Sequence, residues 1–90
     1  MTRGESAKPL NVDQASLLRE VLEKRAPDVL AGLFPKAQAN ALDRDERLRL
    51  CELIGAELAE TGLDADSEPL PRGLKLEELL DVINRPNLFA

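Results

Sequence analysis

The sequence predicts an all-α fold, a small single-domain bundle of about four helices behind a mobile N-terminal arm. The 90 residues are 43% apolar and 32% charged, the balance of a globular domain rather than of a disordered chain. Strong helix formers are abundant, and apolar residues recur at helical spacing between prolines and glycines. Because Phe34 and Phe89 are the only aromatic residues, the core must consist mainly of Leu, Ile, Val and Ala.

The first segment has no helical periodicity. Residues 1–11 mix Gly, Pro and small polar residues and predict a flexible arm, whereas residues 12–90 make up the helical domain. Asp13 is a suitable N-cap for a first helix over residues 14–26, whose leucines and valine share one side. Pro27 ends this helix and, because its φ angle suits the first helical position, begins the next one.

A short second helix is predicted over residues 27–33, where four apolar side chains form a compact patch closed by Pro35. The alanine-rich residues 36–42 allow a further turn or two.

The third helix is predicted to begin at Asp43, because Asp43 and Glu46 have the spacing of a capping box. It runs to Thr61, and Gly62 is expected to end it in the left-handed conformation. A helical wheel assigns its apolar side to Leu48, Leu50, Cys51, Ile54, Leu58 and Ala59. The opposite, charged side holds Asp45, Glu46, Arg49, Glu52, Glu57 and Glu60. Leu53 projects from the middle of that charged side.

Residues 63–73 contain Pro69 and Pro71 and predict a stiff loop. A last helix is predicted over residues 74–84, with Pro86 ending it. Its inward stripe comprises Leu76, Leu79, Leu80 and Ile83.

The formal charge of −5 is concentrated in the second half of the chain, where residues 43–90 hold six bases and twelve acids. No basic residue occurs between Arg49 and Arg72. This distribution predicts a basic protein partner and disfavours nucleic acid, since a phosphate backbone requires clustered Lys and Arg. An anionic membrane surface is disfavoured for the same reason.

Catalytic, metal and cofactor sites are not predicted. The spacing of Asp64, Asp66 and Glu68 resembles the start of a calcium-binding EF-hand loop, but Pro69 and Lys75 stand where that loop needs Gly and a bidentate Glu. The carboxylate pairs available for acid–base chemistry lie on predicted solvent faces, so an enzyme is not expected.

Cysteine usage and the N-terminus predict a cytoplasmic protein. Cys51 is the only cysteine and there is no His, so an internal disulfide and a zinc site are both excluded. Residues 1–10 lack the apolar run of a signal peptide.

A partner-binding surface is predicted on the third helix and the loop that follows it. Leu53 is either an apolar anchor within an acidic rim or a surface leucine that a neighbouring element, such as the N-terminal arm, covers. Pro69 and Pro71 either restrict the unfolded chain or hold Leu70 ready for docking. The candidate binding residues are Glu46, Leu53, Glu57, Glu60, Asp64, Asp66, Glu68 and Leu70.

In size, acidity and helix-loop-helix organisation the chain resembles the immunity proteins of bacterial nuclease toxins. Those proteins bind through an acidic helix and a loop bearing paired tyrosines before a proline. This chain has no tyrosine and carries Glu68-Pro69-Leu70-Pro71 in the corresponding region, so no residue roles follow from the likeness. The leading hypothesis is a small acidic protein-binding module, such as an inhibitor, immunity protein or antitoxin, because such proteins need charge and shape rather than catalytic groups. The alternative is a structural or assembly subunit, either a homodimer or part of a larger complex.

Overall fold

The structure, a computed structural model, describes the backbone of residues 10–88 and the side chains of residues 10–85. Within that part the chain forms four helices, which are α1 (Val12–Arg25), α2 (Pro27–Gln38), α3 (Arg44–Thr61) and α4 (Pro71–Leu88). The predicted all-α bundle is confirmed. Residues 1–9 of the predicted arm lie outside the described residues, whereas Leu10 packs against the core and Asn11 caps α1.

The core lies where α1 meets the hairpin formed by α3 and α4. α1 runs antiparallel to α4, because Gln14 contacts Glu78 near one end while Glu20 contacts Arg72 near the other. α2 packs mainly on α1. The fully buried side chains are almost all aliphatic, as the composition predicts, and the aliphatic ones are Leu18, Val21, Leu22, Leu50, Ile54, Leu76 and Leu79.

The predicted start of α3 is confirmed and that of α1 is wrong. At α3, the Asp43 carboxylate accepts the Glu46 N–H at 2.8 Å, and the Glu46 side chain accepts the Asp43 N–H at 2.9 Å. α1 uses the same reciprocal arrangement between Asn11 and Gln14. Asn11 therefore replaces Asp13 as the N-cap, because Gln14 stands three residues after it and returns the second hydrogen bond.

Prolines begin α2 and α4, and of the three helix ends predicted at prolines only that of α1, before Pro27, is confirmed. Pro71 occupies the start of α4, three residues before the predicted start, because its fixed φ suits the first helical position. The predicted ends at Pro35 and Pro86 are both wrong, since α2 and α4 continue through them. A proline removes one backbone hydrogen bond. At Pro35 the loss falls on the carbonyl of Ala31, and both residues are exposed, so water reaches that carbonyl.

Gly62 ends α3, but not in the predicted left-handed conformation, since its φ of −97° is right-handed. Its role is close packing. A Cβ added at Gly62 would lie 2.9 Å from the Cα of Gly73, and one added at Gly73 would overlap the Gly62 carbonyl oxygen. The two glycines let the end of α3 and the start of α4 touch through their backbones.

Candidate functional site

The inward face of α3 is rotated from the predicted one. Leu48 and Ala59, predicted on the apolar side, are exposed, whereas Leu53, predicted on the charged side, is half-buried and packs against the core. Glu57 was also predicted to face solvent and is only 1% exposed. Glu57 stands three residues after Ile54, so the two side chains lie on the same face of α3, and that face is buried.

The Glu57 carboxylate is surrounded by hydrogen-bond donors from three helices. On α4, Arg72 donates to Oε2 at 2.9 Å, and on α1, Arg25 donates to Oε1 at 2.8 Å. Lys24 contacts both oxygens, at 3.1 and 3.3 Å. The Thr61 hydroxyl donates to Oε2 at 2.8 Å. Burial of this charge is therefore matched by cations and donors, the condition under which a buried carboxylate is tolerated.

Two further carboxylates extend this Glu57 cluster toward solvent. Glu60 accepts hydrogen bonds from Lys24 at 2.7 Å and from Arg25 at 2.9 Å. Glu20 pairs with Arg72 at 3.0 Å. The cluster thus ties α1 to both helices of the α3–α4 hairpin, and it uses Glu60, which is also a predicted partner-binding residue, within the fold.

The surroundings of Glu57 stabilise its ionised form. Burial alone would raise the pKa of its carboxyl, but hydrogen bonds from Arg72, Thr61, Lys24 and Arg25 outweigh that penalty. They lower the pKa of Glu57 from 4.5 to about 2. Hydrogen bonds from Lys24 likewise lower the pKa of Glu60.

We expect acid to remove the contribution of Glu57 to stability. The unfolded chain takes up the Glu57 proton near pH 4.5, and the folded chain does so near pH 2. The contribution is therefore complete above pH 4.5, is lost as the pH falls toward 2, and amounts to roughly 3 kcal/mol. Urea unfolding of the wild type and of Glu57→Gln across this range measures it. As the pH falls, the difference in unfolding free energy between the wild type and Glu57→Gln should narrow by that amount. A difference that does not change with pH would contradict the lowered pKa of Glu57.

Glu46 is a second predicted binding residue that the fold already uses. Besides closing the capping box with Asp43, its carboxylate pairs with Lys36 at 2.7 Å, which links α2 to α3. The hydrogen bond from Lys36 is the main reason that the pKa of Glu46 is lowered. Its side chain is only 21% exposed. Four of the predicted binding residues lie on α3. Three of them, Glu46, Glu57 and Glu60, form ion pairs with other residues of the protein.

Four more predicted binding residues, Asp64, Asp66, Glu68 and Leu70, lie together on the loop between α3 and α4. Leu63 and Pro69 form an antiparallel bridge, and the Asp64 N–H donates to the Glu68 carbonyl at 2.9 Å. The Asp64 carboxylate accepts the backbone N–H of Asp66 at 2.8 Å and that of Glu68 at 3.0 Å. The loop is consequently a hydrogen-bonded turn whose backbone fixes where its acids project.

These loop acids are available to a partner. Asp64, Asp66 and Glu68 are all exposed, and within residues 10–85 none of them forms an ion pair. Leu70, at the end of the loop, is 38% exposed. The structure therefore brings together four of the eight predicted binding residues as an exposed surface, which we call the acidic loop (63–70).

The sequence analysis did not predict the three basic residues that surround Glu57. Lys24 and Arg25 end α1, and Arg72 follows Pro71 at the start of α4. The signal that points to them is the row Leu50, Leu53, Ile54, Glu57 and Thr61. Its apolar members recur at intervals of three and four, which places Glu57 on the buried side and requires nearby bases.

Other sites are not evident in the described part of the chain. No group of three or more Cys, Asp or Glu side chains among these residues is arranged to hold a metal ion. A groove between α1 and α4 is lined by charges of both signs, from Asp13, Glu20, Glu78, Arg72 and Lys75. Burial raises the pKa of the half-buried Cys51 thiol, which disfavours its reactive form.

Among residues 10–88, no helix combines the length and the apolar character that crossing a membrane requires. Comparisons of the chain with protein-family models, with curated proteins and with solved structures found no match.

Proposed function

We propose that this protein is a small acidic binding module whose activity is to occupy a basic surface of another protein, as an inhibitor, immunity protein or antitoxin does. One observation carries the proposal. The acidic loop holds three exposed carboxylates that have no ion-pair partner among the described residues, on a backbone fixed by its own hydrogen bonds. Fixed, unneutralised charge at an exposed turn attracts an oppositely charged surface and speeds its association.

The distribution of the remaining charge supports this assignment. Glu46, Glu57 and Glu60 are matched by internal bases, so they contribute little field outside the molecule. The described acids without an ion pair include the three of the loop and two on α4, Glu77 and Glu78. The lone cysteine suits a reducing compartment, and we place the protein in the cytoplasm.

Reversing charge on the acidic loop is expected to slow partner capture. In Asp66→Lys with Glu68→Lys, the loop backbone keeps Asp64, whose carboxylate holds the turn. The partner is isolated by capture from native cell extract in low salt and identified by mass spectrometry. Its association with both forms is then followed by surface plasmon resonance over a series of salt concentrations. We expect the double variant to associate at least tenfold more slowly and with a weaker salt dependence.

The matched control is Glu23→Lys with Glu52→Lys, which changes the net charge equally on side chains that are 55% and 74% exposed. It should slow association much less. If both double variants slow association equally, overall charge rather than the loop is responsible. If neither does, or if the captured proteins are acidic, the proposed function is wrong.

A structural or assembly subunit is the second candidate, because exposed leucines at positions 48, 70 and 74 offer apolar surface for another copy. Sedimentation equilibrium at several protein and salt concentrations separates the two candidates. A monomer agrees with the binding module, whereas a homodimer that is insensitive to salt favours assembly.

A further inference from the structure

Two of the exposed leucines stand four residues apart in the chain where the acidic loop enters α4. The large apolar side chains that are exposed among the described residues are those of Val12, Leu48, Leu70 and Leu74. Leu70 and Leu74 are 38% and 55% exposed, and the Leu74 N–H donates to the Leu70 carbonyl at 3.0 Å. A separation of four residues across a helical hydrogen bond places both on one side. Pro69 and Pro71 are also exposed, and these four residues form what we call the Leu70–Leu74 ridge.

The backbone under the Leu70–Leu74 ridge is held on both sides. The Leu70 N–H donates to the Gly62 carbonyl at 2.8 Å, and Pro69 pairs with Leu63 in the antiparallel bridge. Within the span of the ridge, Gly73 packs on Gly62 without an intervening side chain. Binding of a ligand to this ridge therefore costs little conformational entropy, because the backbone is already ordered.

Acidic side chains border the ridge at both ends. Asp66 and Glu68 precede it in the loop, and Glu77 follows Leu74 by three residues on the same side of α4. All three are exposed. Of the two nearest bases, Arg72 is paired within the Glu57 cluster, and Lys75 lines the groove between α1 and α4. An apolar strip between acids is complementary to an apolar side chain between bases.

We infer that the Leu70–Leu74 ridge docks a segment of the partner protein in which apolar side chains are flanked by Lys or Arg, an inference that rests on the proposed function. The loop acids steer the basic segment, and the two leucines supply the apolar contact that holds it. An apolar anchor within an acidic rim was one of the two alternatives for Leu53, which instead packs against the core. This inference places such an anchor at Leu70 and Leu74.

The inference is tested with synthetic peptides and the full chain labelled with ¹⁵N. One probe is a lysine-rich helical peptide with two leucines four residues apart, the second has alanine in place of both leucines, and the third keeps the leucines but replaces every lysine with glutamine. Amide shifts followed by NMR locate and quantify binding. We expect the first peptide to bind at least tenfold more tightly than the others and to shift the amides of Leu70 and of residues 72–75.

Matched variants then isolate the ridge. Leu74→Gln should weaken binding of the first peptide about tenfold, the loss that corresponds to about 1.4 kcal/mol. Leu48→Gln removes a leucine of similar exposure, 43%, from α3 and should leave the affinity within twofold. Because both positions are exposed in helices, neither change is expected to disturb folding, and circular dichroism checks this.

Each other outcome overturns the inference in a different way. If the lysine peptides bind equally and only Asp66→Lys with Glu68→Lys weakens them, the proposed function stands and the ridge plays no part. If the glutamine peptide binds as tightly as the first, the ridge accepts apolar segments without regard to charge. If the amides of Leu70 and of residues 72–75 shift with protein concentration alone, a second copy of the chain occupies the ridge. If no peptide binds, the ridge is not a docking site for this chemistry.

Discussion

Replacing Glu57 with alanine is expected to destabilise the bundle by about 3 to 5 kcal/mol. The substitution leaves Arg25 and Arg72, which are 19% and 34% exposed, facing each other across a site that no longer holds a negative charge. It also removes contacts that join α1 to the α3–α4 hairpin. A 90-residue domain has only about 5 to 15 kcal/mol of stability, so a large part of the folded population is at risk. Urea unfolding followed by circular dichroism measures the loss.

The control is Glu52→Ala on the same helix. The Glu52 side chain is 74% exposed and lies 3.9 Å from Arg49, so its removal should change the unfolding free energy by about 0.5 kcal/mol or less. A loss at Glu57 no larger than the loss at Glu52 would show that the Glu57 cluster does not hold the helices together.

Gly73→Ala is expected to be the most damaging substitution of a single small residue, with a loss of about 3 kcal/mol. The added Cβ would overlap the Gly62 carbonyl oxygen and lie 2.9 Å from the Gly62 carbonyl carbon. Both atoms belong to the backbone, so neither can rotate away. The start of α4 must move from the end of α3, which also disturbs the adjoining acidic loop. Thermal and urea unfolding of the variant measure this loss.

Gly55→Ala, in α3, is expected to have the opposite effect on stability. A Cβ at Gly55 meets no atom within 4 Å, and alanine is the better helix former by roughly 0.5 to 1 kcal/mol. We therefore expect Gly55→Ala to raise the midpoint of urea unfolding while Gly73→Ala lowers it. Two alanine variants of equal stability would contradict the close backbone packing of Gly62 and Gly73.

Local signals in the sequence were sufficient for the class of fold and for the bounds of α3. The pair Asp43 and Glu46 marks a helix start because the two side chains satisfy backbone donors within four residues. The behaviour of the helices at Pro35 and Pro86 was not predictable in the same way. Whether a helix stops at Pro35 depends on whether the carbonyl four residues earlier is left exposed, and that is a property of the packing.

In the candidate site as well, the sequence predicts what depends on local signals and misses what depends on packing. The acidic loop projects its charges as predicted, because a short turn rich in proline and aspartate has few ways to bury them. The prediction placed Glu57 on the solvent face of α3 because a helical wheel based on hydrophobicity alone assigns every glutamate to that face. Its burial depends on Lys24, Arg25 and Arg72, which reach it only after α1 and α4 have packed on α3.

Glu57 is a buried part of the fold, whereas we propose that the exposed loop acids face the partner. The most direct test follows the side-chain carboxyl carbon of Glu57 by ¹³C NMR as the full-length protein is titrated with acid. We predict a midpoint near pH 2, because the charge is held by four donors from three helices. A midpoint at or above the ordinary value of 4.5 would contradict the account, since it would mean that these donors do not stabilise the charge.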